Sequence, residues 1–187
     1  MPYTVVTAAR CNEGSPGTIA NVASCPGAET CRIAVTQSRG LGRALTEHLA
    51  GRPDLLDLVP SGAIKISGCP NGCGQHHIAS IGFQGSVRKV GGRAVPQYFV
   101  MVGGGVQEDG AHFARLAAKV PARRVPEAVE RLIALYQRER QEGELAPAFF
   151  ARLEVSTVST LLADLQRHNW KPCRAGTRQE FVGLCPL

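Results

Sequence analysis

Along the middle of the chain, apolar residues recur at two different periods, and each change of period marks an element. Leu41, Ala44, Leu45, His48 and Leu49 repeat at helical spacing until Gly51-Arg52-Pro53 breaks the run, so a helix is expected there. Ala63-Ile64-Lys65-Ile66-Ser67 alternates like a strand and stops at Gly68. Ile78 to Phe83 and Gln97 to Val102 read as two further strands, separated by the glycine-rich segment Gly85 to Gly92. Helical spacing returns at Ala128, Val129, Leu132, Ile133 and Tyr136. Pro126 suits the first turn of that helix, while Glu127, Glu130, Arg131 and Arg138 fall on its solvated side. A last short helix is expected around Val158, Leu161, Leu162 and Leu165, with Ser156 and Thr157 as its caps. Thr18 to Ser24 is short and β-prone.

This pattern predicts an α+β fold, a sheet with packed helices. Residues 1–17 read as a turn-rich, linker-like start, 18–153 as the domain proper, and 154–187 as a helical tail of unknown role. In that tail, Trp170, Cys173 and Cys185 fall in no recognised metal spacing. With 187 residues and 44% hydrophobic content, the chain suits one ordinary domain with its own core. No apolar run approaches membrane-spanning length, and Met1-Pro2-Tyr3-Thr4 does not begin a signal peptide, so a cytoplasmic protein without a membrane partner is expected. The formal charge of +6 raises the question of nucleic acid, but the basic residues are dispersed and aromatics are only 5%, so no nucleic-acid partner is expected. A basic chain also suits an anionic cofactor, an anionic substrate or an acidic electron-donor protein.

Cysteine placement changes the picture most. Cys25 and Cys31 bracket Pro26-Gly27-Ala28-Glu29-Thr30 between the β-prone segment and the first helix, and Cys69 and Cys73 bracket Pro70-Asn71-Gly72 just after the alternating strand. Seven cysteines with no export signal argue for metal or redox chemistry over a disulfide scaffold, because cytosolic thiols stay reduced and an odd number cannot pair fully. Structural zinc usually takes pairs separated by two to four residues, so a five-residue gap favours iron–sulfur ligation. Zinc, and four merely buried small residues, stand as the alternatives.

The residues around these pairs carry a more specific likeness. Cys25-Pro26-Gly27-Ala28-Glu29-Thr30-Cys31, Ala34-Val35-Thr36-Gln37-Ser38-Arg39-Gly40-Leu41 and Lys65-Ile66-Ser67-Gly68-Cys69-Pro70-Asn71-Gly72-Cys73-Gly74-Gln75-His76-His77 closely resemble the carboxy-terminal part of sirohaem-dependent nitrite and sulfite reductases. The likeness continues through Ala79-Ser80-Ile81-Gly82-Phe83, the glycines between Val102 and Gly105, and Glu142-Gly143-Glu144 to about Phe150. The resemblance implies that Cys25, Cys31, Cys69 and Cys73 hold a [4Fe-4S] cluster and that Cys73 also meets the iron of sirohaem. A shared thiolate would put an electron store in direct contact with the substrate-binding iron. Asn71 corresponds to a position that lies against the sirohaem in that family.

Adjacency adds Gln75, His76 and His77 as candidate contacts to the sirohaem carboxylates, and Thr30 and Lys65 as weaker ones. Gly68, Gly72 and Gly74 suit close backbone approach. Arg88, Lys89 and Arg93 read as a basic turn, better explained as a solvated loop. Gly103-Gly104-Gly105 lacks the full dinucleotide fingerprint. Complete members of the resembling family are longer and two-halved, their amino-terminal half supplying basic residues for sirohaem and the substrate anion. The expected function is therefore the [4Fe-4S]- and sirohaem-binding portion of a nitrite or sulfite reductase, incomplete as an isolated chain. Its expected partners are the missing amino-terminal half or a partner chain, a donor such as ferredoxin, and nitrite or sulfite. An electron-transfer module without a substrate site and an inactive truncated product are the alternatives, and precorrin-3B synthase is a more distant enzyme reading.

Overall fold

In the computed structural model, residues 19–56, 59, 62–107 and 110–167 are described. The linker-like start at 1–17, Thr18, Trp170, Cys173 and Cys185 lie outside the described residues. Seven strands run in chain order as β1 (Ala23–Ser24), β2 (Ile64–Ser67), β3 (Ile81–Val90), β4 (Arg93–Val102), β5 (Gly105–Gln107), β6 (Gly110–His112) and β7 (Arg115–Pro121) among the described residues. The helices are α1 (Ser38–Ala50), α2 (Pro53–Leu56), α3 (Val125–Glu139), α4 (Ala146–Arg152) and α5 (Val155–Leu161). The α+β expectation holds: a five-stranded mixed sheet in the order β1-β2-β3-β4-β7 carries the helices, with β5 and β6 forming a separate hairpin.

Strand pairing sets the geometry that matters later. β1, β2 and β3 are parallel neighbours, whereas β4 and β7 run antiparallel. Parallel strands need a crossover, and α1 with α2 provides it between β1 and β2. Alternation along the strands gives two faces. Ile64, Ile66, Ile81, Phe83, Tyr98, Val100 and Val102 fall on one of them and are fully buried, in one core with Leu41, Leu45 and Leu49 of α1 and the inner face of α3. The opposite face carries Lys65, Ser67, Gln84 and Gln97. Helix α3 buries Val125, Ala128, Val129, Leu132, Ile133 and Tyr136 as its spacing requires, with Pro126 at its start.

Several sequence expectations need correction. The segment from Gly85 to Gly92 is strand up to Val90, and only Gly91 and Gly92 form the turn. Strand β3 begins at Ile81 because His76–Ile78 form a 3₁₀ turn first. Among the described residues 19–24, only Ala23 and Ser24 pair as strand. Ser156 and Thr157 do not cap α5, which starts at Val155 behind Glu154 with no side-chain cap. Val158, Leu162 and Leu165 nonetheless bury in the main core, the last two beyond the helix end. Strands β5, β6 and β7 and helix α4 had no clear periodic signal. No helix among the described residues is long and apolar enough to cross a membrane.

Candidate metal centre

Parallel pairing of β1 and β2 brings the two cysteine loops together. Ser24 pairs with Ile66, so Cys25 and the Gly68-Cys69 step leave neighbouring strands at the same edge of the sheet. The Cys25 N–H donates to the Ile66 carbonyl at 3.1 Å, and the Gly68 N–H donates to Cys25 Sγ at 3.2 Å. Further along the first loop, Val35 and Thr36 both donate N–H bonds to the Gly68 carbonyl, at 3.0 and 3.2 Å. The Thr36 hydroxyl donates to the same oxygen at 3.2 Å. Cys31 is held by its own N–H to the Gly27 carbonyl at 2.9 Å, closing the turn that carries Glu29 and Thr30.

Gly85 explains why these loops lie so close to the sheet. A Cβ there would collide with the Thr36 hydroxyl and the Gly68 carbonyl, so a strand glycine here marks backbone packed against backbone. Its cross-strand partner is Tyr98, which lies on the same face. The Tyr98 ring packs edge-on to Phe83 at 6.5 Å, fully buried, and its hydroxyl has no hydrogen-bond partner among the described residues. Burial pushes that hydroxyl well above the ordinary tyrosine range, opposed by Thr36 and reinforced by nearby Cys25, so Tyr98 remains a proton donor.

The second cysteine loop is held from the other face. Gly72, at φ +75°, turns the chain between Cys69 and Cys73, and the Gly74 N–H returns to Ser67 Oγ at 3.0 Å. His76 is 3% exposed, with Nδ1 at 2.8 Å from Ser67 Oγ and Nε2 at 3.2 Å from Gln84 Oε1. Burial, followed by the neighbouring His77, lowers the His76 pKa below the ordinary histidine value, against the Gln84 bond. His76 is thus a buried strut behind the loop. Asn71, Cys73 and Gln75 are exposed on the outer side, and Lys65 Nζ donates to Gln75 Oε1 at 2.9 Å. His77 meets the exposed Phe113 edge-on at 5.4 Å. Thr30 is exposed, its N–H donating to the Gly27 carbonyl at 3.3 Å. Arg88 and Lys89 are exposed on the β3–β4 ribbon, which runs past the last residue of β2.

The donor set suits thiolate coordination. Cys25, Cys31, Cys69 and Cys73 are free thiols on two interlocked loops, grading from buried Cys69 to exposed Cys73. No group of three or more His, Cys, Asp and Glu side chains among the described residues is arranged to hold a single metal ion. The buried Tyr98 hydroxyl, without an acceptor among the described residues, is a donor that one further acceptor would satisfy. Sequence reasoning singled out the four cysteines as candidate ligands and not Thr36, Ser38, Gly85 and Tyr98, which the structure brings to the Cys25 and Gly68 loops. Thr36 and Ser38 carry a faint signal, two hydroxyls between a ligand loop and a helix. Tyr98 and Gly85 carry none, since only strand register brings them here.

The model of the nitrite and sulphite reductase 4Fe-4S domain matches residues 16–159. The assimilatory ferredoxin-dependent nitrite reductase of Haloferax mediterranei is 30% identical over 128 residues, covering 68% of this chain and 21% of that protein. A sulfite reductase [NADPH] hemoprotein beta-component from Methylobacterium nodulans is 33% identical over 137 residues, 71% of this chain and 21% of that protein. Among solved structures, the NirA protein of Mycobacterium tuberculosis superposes with a TM-score of 0.62 at 28% identity, covering 74% of this chain and 26% of that one. The chain therefore spans about a fifth to a quarter of the length of these relatives.

Proposed function

Because the chain belongs to the nitrite and sulphite reductase 4Fe-4S domain family, we propose that it is the [4Fe-4S]- and sirohaem-binding portion of a nitrite or sulfite reductase. The observation that carries this reading is the shared sheet edge at which the Cys25 and Cys69 loops interlock, with the Gly68 N–H bonded to the Cys25 sulfur. Cys25, Cys31, Cys69 and Cys73 are the ligands in this proposal, one thiolate for each iron. Cys73, the exposed member, is the sulfur shared with sirohaem. Asn71 and Gln75, exposed on the same turn, face the macrocycle, and Phe113 over His77 extends the surface beside them. His76, expected among the cofactor contacts, is assigned to holding that turn from behind, since both its ring nitrogens are engaged inside the protein.

Cys25, Cys31, Cys69 and Cys73 would hold the cluster, and Cys73 with Asn71 and Gln75 the sirohaem, groups that would supply one-electron reduction of an oxyanion. The chain's own residues fix the cysteine loops, and the Gly68 N–H and the Ser38 hydroxyl reach the Cys25 sulfur, where such donors lower the cost of negative charge. Nitrite or sulfite is the proposed substrate anion, and ferredoxin or another electron-donor protein the proposed source of electrons. The basic groups that bind the anion are supplied by protein outside these 187 residues, either more of the same polypeptide or a partner chain.

Loading the chain anaerobically with iron, sulfide and sirohaem tests the proposal. The Cys73→Ser variant should lose the cluster and the sirohaem spectral coupling together, because one sulfur serves both. A variant that keeps both signals shows that Cys73 is not the bridge.

A further inference from the structure

Ser38, the first residue of α1, stands where the two cysteine loops meet, its hydroxyl within reach of both the carbonyl oxygen and the sulfur of Cys25. Its Oγ lies 2.9 Å from the Cys25 carbonyl oxygen, to which it donates, and 3.1 Å from Cys25 Sγ. The residue is fully buried, so bulk water does not compete for that hydrogen. Gly27 leaves the space it occupies, since a Cβ there would collide with Ser38 Oγ. Among the described residues, Cys25 is the cysteine whose sulfur receives both a side-chain and a backbone contact, from Ser38 and from the Gly68 N–H.

A free thiol donates its own hydrogen, which goes to Ser38 Oγ while the hydroxyl serves the Cys25 carbonyl. A sulfur bonded to iron has no hydrogen to give and carries negative charge. It is then an acceptor only, and hydrogen bonds to charged acceptors are roughly twice as strong as those to neutral ones. The carbonyl stays neutral, so the balance between the two acceptors moves towards sulfur.

Resting on the reading that Cys25 is a cluster ligand, we propose that the Ser38 hydroxyl turns from the Cys25 carbonyl to the Cys25 sulfur in the loaded protein and raises the reduction potential of the cluster. Ser38 acts through Cys25 and is a positioning residue. Reduction by a one-electron donor protein adds one electron and no proton. The Ser38 hydrogen stays on its own oxygen, and no covalent bond forms or breaks. The added charge strengthens the Ser38 bond in the reduced state more than in the oxidised state, so the reduced state gains stability.

Redox titration of anaerobically loaded protein, followed by the electron paramagnetic resonance of the reduced cluster, reads this directly. Ser38→Ala should make reduction about tenfold less favourable, equivalent to about 59 mV more negative for a one-electron couple. Ser38→Thr, which keeps a hydroxyl, should return towards the wild-type potential. An unchanged potential in a Ser38→Ala protein with full iron and sulfide overturns the proposal and leaves the family reading intact. Wild-type protein that takes up no iron or sulfide overturns that reading instead. Where Ser38→Ala loads too little iron to titrate, Ser38→Cys, whose thiol is a weaker donor, is titrated in its place. A potential more negative than wild type at full iron and sulfide supports the proposal, and an unchanged one overturns it.

Discussion

At the cysteine edge, Gly85, Gly68 and Thr36 meet through backbone and hydroxyl groups, whereas between α3 and α4 Tyr136, Phe149 and Phe150 meet ring to ring. Tyr136 packs edge-on to Phe149 at 5.2 Å and lies nearly parallel to Phe150 at 6.3 Å. Burial of such side chains contributes about 1.5–3 kcal/mol each, so this helical region is stable on its own packing. A clasp completes it: the Tyr136 hydroxyl donates to the Glu144 carbonyl at 2.6 Å, and Arg152 Nη2 donates to the Glu144 carboxylate at 2.8 Å. The cysteine loops are joined by hydrogen bonds worth about 0.5–1.5 kcal/mol apiece. One region stabilises the fold, and the other presents the four candidate cysteine ligands.

The sharpest way to separate the two regions is Cys73→Ser. Iron and sulfide content should fall to background, while the unloaded chain keeps its stability within about 0.5 kcal/mol, because Cys73 is exposed. Denaturant unfolding alongside metal analysis checks both halves of that statement. Phe149→Ala should do the reverse, costing about 3–5 kcal/mol of stability while protein that remains folded binds iron and sulfide in the wild-type ratio. A Phe149→Ala protein that stays folded and loses its metal would show that the regions are not separable.

Gly85→Ala probes the join between them. Its Cβ has no space against Thr36 and Gly68, so a loss of about 1–3 kcal/mol is expected together with reduced iron retention. Normal iron content after a full stability loss would place Gly85 in the fold alone. The smallest effect belongs to Glu144→Gln, read from melting temperature against pH. The Arg152 bond holds the Glu144 carboxyl down to about 2, against an ordinary 4.5. A lowered folded-state pKa contributes stability that is present above the unfolded value and is lost as pH falls from about 4.5 towards 2. Wild type should therefore lose more stability over that window than Glu144→Gln, and parallel melting curves would remove the clasp from the account.

Much of this architecture was legible in the chain, and the exceptions share causes. Helices α1 and α3 were visible because each repeats apolar residues at 3.6-residue spacing over several turns, as Leu41, Leu45 and Leu49 do. Strand β2 alternates cleanly because its two faces meet a core and a polar turn. Strand β7, Arg115-Leu116-Ala117-Ala118-Lys119-Val120-Pro121, hides its pattern, since its pairing with β4 shifts register between Val100 and Met101 and leaves Leu116 exposed. Helix α4 covers seven residues, too few for a period to show. Gly85 looked like part of a turn because a glycine's need for close approach depends on what lies opposite, here Thr36 from a distant loop. The cysteines were the most legible part of the site, since their spacing is local. The groups that reach the Cys25 sulfur come from Gly68 and Ser38, united by parallel pairing rather than by sequence.

Iron and acid-labile sulfide per chain, measured beside zinc on protein purified without oxygen, tests the central claim most directly. The account predicts about four iron and four sulfide per chain, with zinc at background, and loss of both iron and sulfide in Cys25→Ser. Protein that carries zinc in place of iron and sulfide, or that keeps its iron after Cys25→Ser, contradicts it.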